Sequence, residues 1–464
     1  MRAALLAWLE LTVIWIVSEA WKFKPTAIIT GKSDYLQSPR FLFTTSLSAK
    51  KVTSRNPGKS AETHPISFSS NKKVAERQTY RIFNVEIPLN QDPGKDDYRV
   101  HEALRAAVTT RLKQCTKSLP TQELKLTVCK KSFDGRWKKS GQPRFIYTVD
   151  IELPGNLRVF ETQGKVERIL PEQPSEVGEL PPEHRPSVVI VGSGPAGLFC
   201  ALDLVEVGIR PIIVERGQPV EIRGRDIGAL INRRLLKADS NLCYGEGGAG
   251  TWSDGKLTTR IGKNSEDVRS VLRILVDNGA PSRILVDGKP HLGTDRLVRI
   301  LRSIRERLVA KGAQILFNTT VVDISINGTD NGRRVSGVVL ANGEIISAAH
   351  VVLAVGHSGR KMYECLLRQN VSMQPKGIAV GFRVEHPQEL INSIQYGEFG
   401  ALCERGKGPV PVADYRLVTD VNGESEHRSV YSFCMCPGGQ IGKIINCLRN
   451  MKSIYLLSSH VCRY

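Results

Sequence analysis

A short β-branched strand that runs straight into a glycine turn and then a helix constrains this chain more than any other feature. Ser187 to Val191 (SVVIV) is apolar almost throughout, and Gly192-Ser193-Gly194-Pro195-Ala196-Gly197 follows it directly. Leu198, Ala201, Leu202 and Val205 then recur at helical spacing until Gly208, and a second strand, Pro211 to Val214, ends at Glu215, 23 residues past the first glycine. A GxGxxG alone is common, but with strand, helix, second strand and terminal acid it is the βαβ fingerprint of a dinucleotide site. Gly192 permits the tight turn, and Gly194 lets the backbone approach a pyrophosphate at the helix N-terminus. Gly197 lets helix and strand pack closely, and Glu215 accepts hydrogen bonds from ribose hydroxyls. Ser193, Pro195 and Ala196 share the turn and Arg216 follows the acid, so these four join the expected cofactor contacts. An acid at this place disfavours a 2′-phosphate, which points to FAD or NAD rather than NADP.

The 464 residues allow two or three domains, each able to bury its own core. With 65 Lys plus Arg against 46 Asp plus Glu the formal charge is +19, and 41% of residues are hydrophobic, which excludes an acidic disordered chain and a multi-pass membrane protein. Met1 to Arg77 holds 12 Lys/Arg and 5 Asp/Glu, so the excess is partly a property of the leader. The remainder has no basic run interleaved with aromatics, and a nucleic-acid partner is not expected. The ten cysteines contain no CxxC pair, which speaks against a zinc site, a dithiol centre or a disulfide scaffold. No metal site is expected.

Ala3 to Val17 is an apolar stretch interrupted by Glu10 and followed by Ser18-Glu19-Ala20, a small-x-small sequence. It is too short to span a bilayer comfortably. Lys22 to Lys73 is rich in Ser, Thr, Lys and Arg with only Asp34 and Glu62 as acids, the composition of an organellar transit peptide. The expectation is a plastid protein, with a secretory leader as the alternative. Residues 1–77 form this leader and disordered tract. Residues 78–170 read as a small α+β domain, and its charged Lys130 to Lys139 stretch reads as a solvated hairpin tip. Residues 171–186, with five prolines, form a linker. The dinucleotide-binding domain takes 187–365, a further domain 366–440 and an atypical tail 441–464.

Beyond the first βαβ unit come a helix from Asp295 to Lys311, strands at Gln314 to Phe317 and Val321 to Ile324, a pair around Asn342-Gly343, and His350 to Val355 ending at Gly356. This order resembles the FAD domain of the glutathione-reductase-like flavoproteins, in which a meander follows the first βαβ unit and a strand ending in Ala-x-Gly passes near the flavin nucleotide. Ala354 and Gly356 match that motif, and Val322 on the meander is counted with them as a cofactor contact. A more specific tract is Arg223-Gly224-Arg225-Asp226-Ile227-Gly228 followed by Gly245-Glu246-Gly247-Gly248-Ala249-Gly250-Thr251-Trp252-Ser253-Asp254-Gly255-Lys256-Leu257. With Pro290 to Asp295, Gly381 to Pro387 and Cys434 to Gly439, it resembles the FAD-dependent dehydrogenase family of unassigned substrate found in bacteria and plastids. The resemblance runs from about Arg81 to Gln440. It implies an α/β fold with a Rossmann-like FAD-binding domain, a small N-terminal α+β domain and an inserted substrate-side domain.

The glycine-rich loop offers unencumbered backbone N–H groups, suited to a diphosphate or the flavin edge. Gly247, Gly248, Ser253 and Asp254 are therefore cofactor candidates, and Lys256 and Arg225 could stabilise a reduced flavin anion. His291, Glu385 and His386 are candidate proton donors or acceptors, since imidazole titrates near neutral pH. Cys434 and Cys436, at i and i+2, share a strand face as packing or redox-active thiols. The expected function is a flavin-dependent oxidoreductase passing hydride between a small organic substrate and a second carrier. NAD(P)H, if used, would be a transient donor bound without a Rossmann unit of its own, because the chain has no second GxGxxG. Two alternatives stand beside it. The final strand and Gly-Asp element of such FAD domains are missing, so the sheet would keep an open edge and the chain would be a flavin-binding, catalytically silent short product. Otherwise Arg81 to Leu153 is an interaction module on a redox sensor.

Overall fold

The computed structural model describes residues 15–16, 77–116, 124–138, 140–155, 157, 159–170, 180–253, 255–257, 266–328, 332–375, 381, 384–422, 427–432, 434–437 and 459–463. They belong to one compact unit, and a second unit, Ala20–Ala75, lies outside them. The expected transit tract, most of the proline linker, Asp254, Phe382, Arg383, Gly438, Gly439 and most of the tail also lie outside the described residues.

The strand Val188–Val191 is buried at all four positions and sends its side chains into two different cores. Val188 and Ile190 join the helices Pro195–Glu206, Glu266–Asp277 and Thr294–Ala310 through Leu198, Leu202, Val271, Ile304 and Leu308. Val189 and Val191 point the other way, to Ile324, Val338, Leu340 and Leu366. This alternation is what a central strand covered on both faces requires. Its parallel neighbours are His350–Leu353 on one side and Ile212–Val214, then Gln314–Leu316, on the other. An antiparallel meander, Val321–Asn327, Arg334–Leu340 and Ile345–Ser347, forms the third layer with helix Arg360–Arg368. The order helices, parallel sheet, meander is the Rossmann-like arrangement expected. Trp15–Ile16, within the stretch read as a leader, pairs antiparallel with Val352 and Leu353, at the edge expected to stay open. No helix among the described residues is long and apolar enough to cross a membrane.

The N-terminal α+β domain is a four-stranded antiparallel sheet in the order Lys125–Asp134, Arg144–Pro154, Arg77–Pro88, Val166–Ile169, with helix Glu102–Lys113 packed on it. Its charged 130–139 stretch is solvated only in part: Arg136 and Lys138 are exposed as the composition suggests, but Lys131 and Asp134 are buried. The Lys131 side chain is only 2% exposed. Its three N–H groups go to Asp92 Oδ1 at 2.8 Å, the Gly94 carbonyl at 2.7 Å and the Asp97 carbonyl at 2.8 Å. Phe133 stacks edge-on against Tyr396, Trp137 meets Phe399, and a Cβ on Gly135 would fall 2.2 Å from the Tyr396 ring. The outer edge is also occupied: the Lys131 amide donates to the Val286 carbonyl and the Gly288 amide to the Lys131 carbonyl. Buried ion pairing and aromatic packing overrode the local charge pattern.

Candidate functional site

Helix Pro195–Glu206 begins with Gly194 as its N-cap and proline at its first position, where the missing N–H costs nothing and φ is already helical. The remaining first-turn amides and the helix dipole make that end an anion site. Gly192 takes a left-handed φ of +105°, and a Cβ there would lie 2.4 Å from the Ala354 carbonyl oxygen. A Cβ on Gly197 would lie 2.0 Å from the Gly192 oxygen, so the close helix-to-strand packing expected of this glycine is present. Gly194 is different: its Cβ position meets nothing nearer than Gly248 Cα at 3.9 Å.

Glu215 is buried and its carboxylate is held by its own loop. Oε2 accepts from the Ser193 amide and hydroxyl, both at 2.8 Å, and Oε1 accepts from the Gly217 amide at 2.8 Å. Each carboxylate oxygen can accept two hydrogen bonds, so Oε1 keeps capacity for a ribose hydroxyl. Arg216 pairs with Asp239 and lies 4.3 Å above the Tyr244 ring, whose hydroxyl donates to the Ser358 carbonyl at 2.6 Å. That contact ties the glycine-rich loop to the turn after Gly356. Gly356 has φ +66° and open space at its Cβ position.

The glycine-rich loop lies on the dinucleotide turn. The Gly247 amide donates to the Ser193 carbonyl at 2.9 Å, and a Cβ on Gly248 would stand 3.2 Å from Gly194 Cα. Arg223 fixes the loop there. Its side chain is fully buried, donating from Nε to the Asn241 carbonyl, from Nη1 to the Gly245 and Glu246 carbonyls and Thr251 Oγ1, and from Nη2 to the Leu242 carbonyl. Burial pushes its guanidinium down to about 10, which leaves it charged at neutral pH. Arg225, the arginine expected near the flavin, is exposed on the same helix, Val220–Arg233. Helical spacing from Val220 through Ile227 and Leu230 places 223 on the buried face and 225 off it, so the sequence held the signal.

Glu246 is also fully buried. Its Oε2 accepts from the Val220 amide and from Arg305, both at 2.7 Å, while Oε1 has no hydrogen-bond partner. Burial outweighs the arginine and pushes the carboxyl up to about 7. The folded state therefore holds a proton that the unfolded chain, titrating near 4.5, has released. Stability falls as pH rises through this window, by an amount on the order of 3 kcal/mol. Thermal melts between about pH 5 and pH 8 are expected to slope downward, and Glu246→Gln is expected to flatten that slope. Equal slopes in the two proteins would show that Glu246 does not titrate there.

A second group of expected residues meets beyond the loop. Ser253 is exposed and bonds back to Gly250, and Lys256 pairs through its main chain with His291, itself exposed. Lys256 Nζ lies 3.4 Å from Cys436 Sγ. Cys436 belongs to strand Cys434–Pro437, which pairs in parallel with Ser459–Arg463, and that strand pairs with Val384–Pro387. His386 Nε2 is 2.9 Å from the Tyr415 hydroxyl, and Glu385 aligns with Cys436 across Val461. Val322 is 42% exposed on the meander.

Residues 185–236 match a family model described as an FAD binding domain. Residues 377–452 match a second, described as FAD-dependent protein, C-terminal domain-like, and that match continues past Gln440. The chain is 38% identical over 365 residues to a protein of Clostridium beijerinckii described only as uncharacterized, covering 78% of this chain and 63% of that one. It thus spans less than two thirds of that relative's length. Among solved structures it is similar to THI4 of Thermovibrio ammonificans, at 17% identity over 45% of this chain and 72% of that one, TM-score 0.26. It is also similar to FAD-bound OTEMO, at 15% identity over 43% and 29%, TM-score 0.24. Likenesses of that size are partial and carry no functional weight.

The site itself fits FAD. The helix N-terminus is ready for a pyrophosphate, Gly194 and Gly248 present bare backbone where a side chain would intrude, and Glu215 retains an acceptor position.

Proposed function

We propose that this chain is an FAD-dependent oxidoreductase acting on a small organic substrate. The observation that carries the reading is the pairing of the Gly192–Gly197 turn with a second glycine loop pinned over it by a buried arginine. Bound FAD would accept and donate hydride. The helix beginning at Pro195 holds negative charge at its N-terminus, and Glu215 orients a ribose by accepting hydrogen bonds from its hydroxyls while repelling a 2′-phosphate. Arg223 keeps the loop's amides pointing to one place, so little reorganisation accompanies binding. On the substrate side, 366–440, the His386–Tyr415 pair can hold or relay a proton. NAD(P)H as a transient donor, a second electron carrier and a plastid setting belong to the same reading.

The test is anaerobic addition of NADH and NADPH to the flavin-loaded full-length chain. Bleaching of the flavin by either donor is the expected result. A bound flavin that neither donor reduces, but dithionite does, would favour the catalytically silent alternative.

A further inference from the structure

We propose that Cys436 is a nucleophilic thiol, held as its thiolate by the Lys256 ammonium where the glycine-rich loop meets the substrate-side strands, and that it reacts with carbon electrophiles. Three segments build the pair. The Leu257 amide donates to the Pro290 carbonyl and the Leu292 amide to the Gly255 carbonyl, each at 3.0 Å, which fixes Lys256 in its main chain. Lys289 then pairs with Asp414 at 2.7 Å, joining this corner to the segment that precedes strand Cys434–Pro437. Lys256 Nζ reaches Cys436 Sγ at 3.4 Å, and the thiol is half-buried rather than sealed.

The other cysteines set the contrast. Burial pushes the Cys129, Cys200, Cys365 and Cys403 thiols up to about 11 and raises Cys243, so each is an inert thiol at neutral pH. Among the described residues, Lys256 touches Cys436, His291 lies on the segment paired with Lys256, and Glu385 and His386, with its Tyr415 partner, lie on the strand beyond Ser459–Arg463. Glu385 stands in register with Cys436 with Val461 of the intervening strand between them. A cation in contact favours the thiolate, and each unit by which a thiol titrates lower raises the thiolate fraction at neutral pH about tenfold.

In the reaction the thiol proton goes to solvent and the thiolate sulfur forms a bond to carbon while the leaving group departs with its electron pair. With iodoacetamide the leaving group is iodide. No flavin takes part, so this proposal and the oxidoreductase reading fail separately.

The experiment is timed alkylation of the full-length chain by iodoacetamide between about pH 5 and pH 9, read cysteine by cysteine from fragment masses. Cys115, also half-buried, is the internal reference. At pH 7 Cys436 is expected to react at least about tenfold faster than Cys115 and to keep its rate at least one pH unit lower. Lys256→Met is expected to bring Cys436 down to the Cys115 rate with Cys115 unchanged, and Lys256→Arg to preserve the fast rate. An ordinary thiol profile for Cys436 in the unaltered chain would overturn the proposal even if Lys256→Met failed to fold. So would labelling of Cys436 only after denaturation, or a rate indifferent to Lys256→Met.

Discussion

Gly194→Ala is expected to leave the fold intact and remove FAD binding, whereas Gly197→Ala is expected to damage the fold itself. The two glycines lie three residues apart in one motif, yet their surroundings separate them. At Gly194 the backbone is extended with φ −71°, and an added methyl meets only Gly248 Cα at 3.9 Å, an ordinary contact. The methyl would cost the apoprotein little, but it would occupy the surface that a pyrophosphate must approach. The predicted result is a melting temperature within about 2 °C of the parent and an FAD affinity at least roughly thirtyfold weaker. At Gly197 the methyl would stand 2.0 Å from the Gly192 oxygen, backbone against backbone. Such overpacking costs about 3 kcal/mol or more and lowers the melting temperature by roughly 6–12 °C with or without FAD. Melts of both variants, with and without cofactor, test the pair. If Gly194→Ala bound FAD normally, the pyrophosphate would not lie on this turn.

The second large effect is expected at Arg223. Arg223→Met would take the donor from the carbonyls of Asn241 and Leu242 and one of the donors from those of Gly245 and Glu246, which also accept from the Gly248 amide and the Thr251 hydroxyl. Unsatisfied buried groups and the loss of positive charge between Glu215 and Glu246 together cost about 4 kcal/mol or more. Lysine should not rescue it, because a single ammonium cannot serve donors directed to five acceptors in a fork. Arg225→Met, two positions along the same helix but exposed, is expected to change stability by no more than about 0.5 kcal/mol. Chemical denaturation of the two variants measures this contrast, and equal midpoints would refute the assigned role of Arg223.

The parts of this molecule that were legible in the sequence are those whose logic is local. The turn from Gly192 to Gly197 with Glu215 at the end of the next strand could be read because one βαβ unit contains all of it. The meander and the strand before Gly356 followed the same way. The fate of Lys131 was not legible, because its acceptors, Asp92, Gly94 and Asp97, lie more than thirty residues away and no spacing announces them. The aromatic contacts of Phe133 and Trp137 with Tyr396 and Phe399 are longer-range still, and a stretch full of lysines hides them. Glu246 looked like one more residue of a glycine loop; only the fold shows it buried beside Arg305 with one oxygen unpartnered. Lys256, His291 and Cys436 were each legible as reactive side chains, but their convergence depends on three chain segments meeting.

The central claim is that the Gly192–Gly197 turn and the loop at Gly245–Gly250 together hold FAD. The most direct measurement is a titration of the purified full-length chain with FAD, followed by removal of free cofactor and a visible absorption spectrum, with Gly194→Ala alongside. The account predicts a retained flavin spectrum with one FAD per chain for the parent protein and a colourless, equally stable Gly194→Ala variant. A folded parent chain that emerges colourless, or a variant that keeps its flavin, would contradict it.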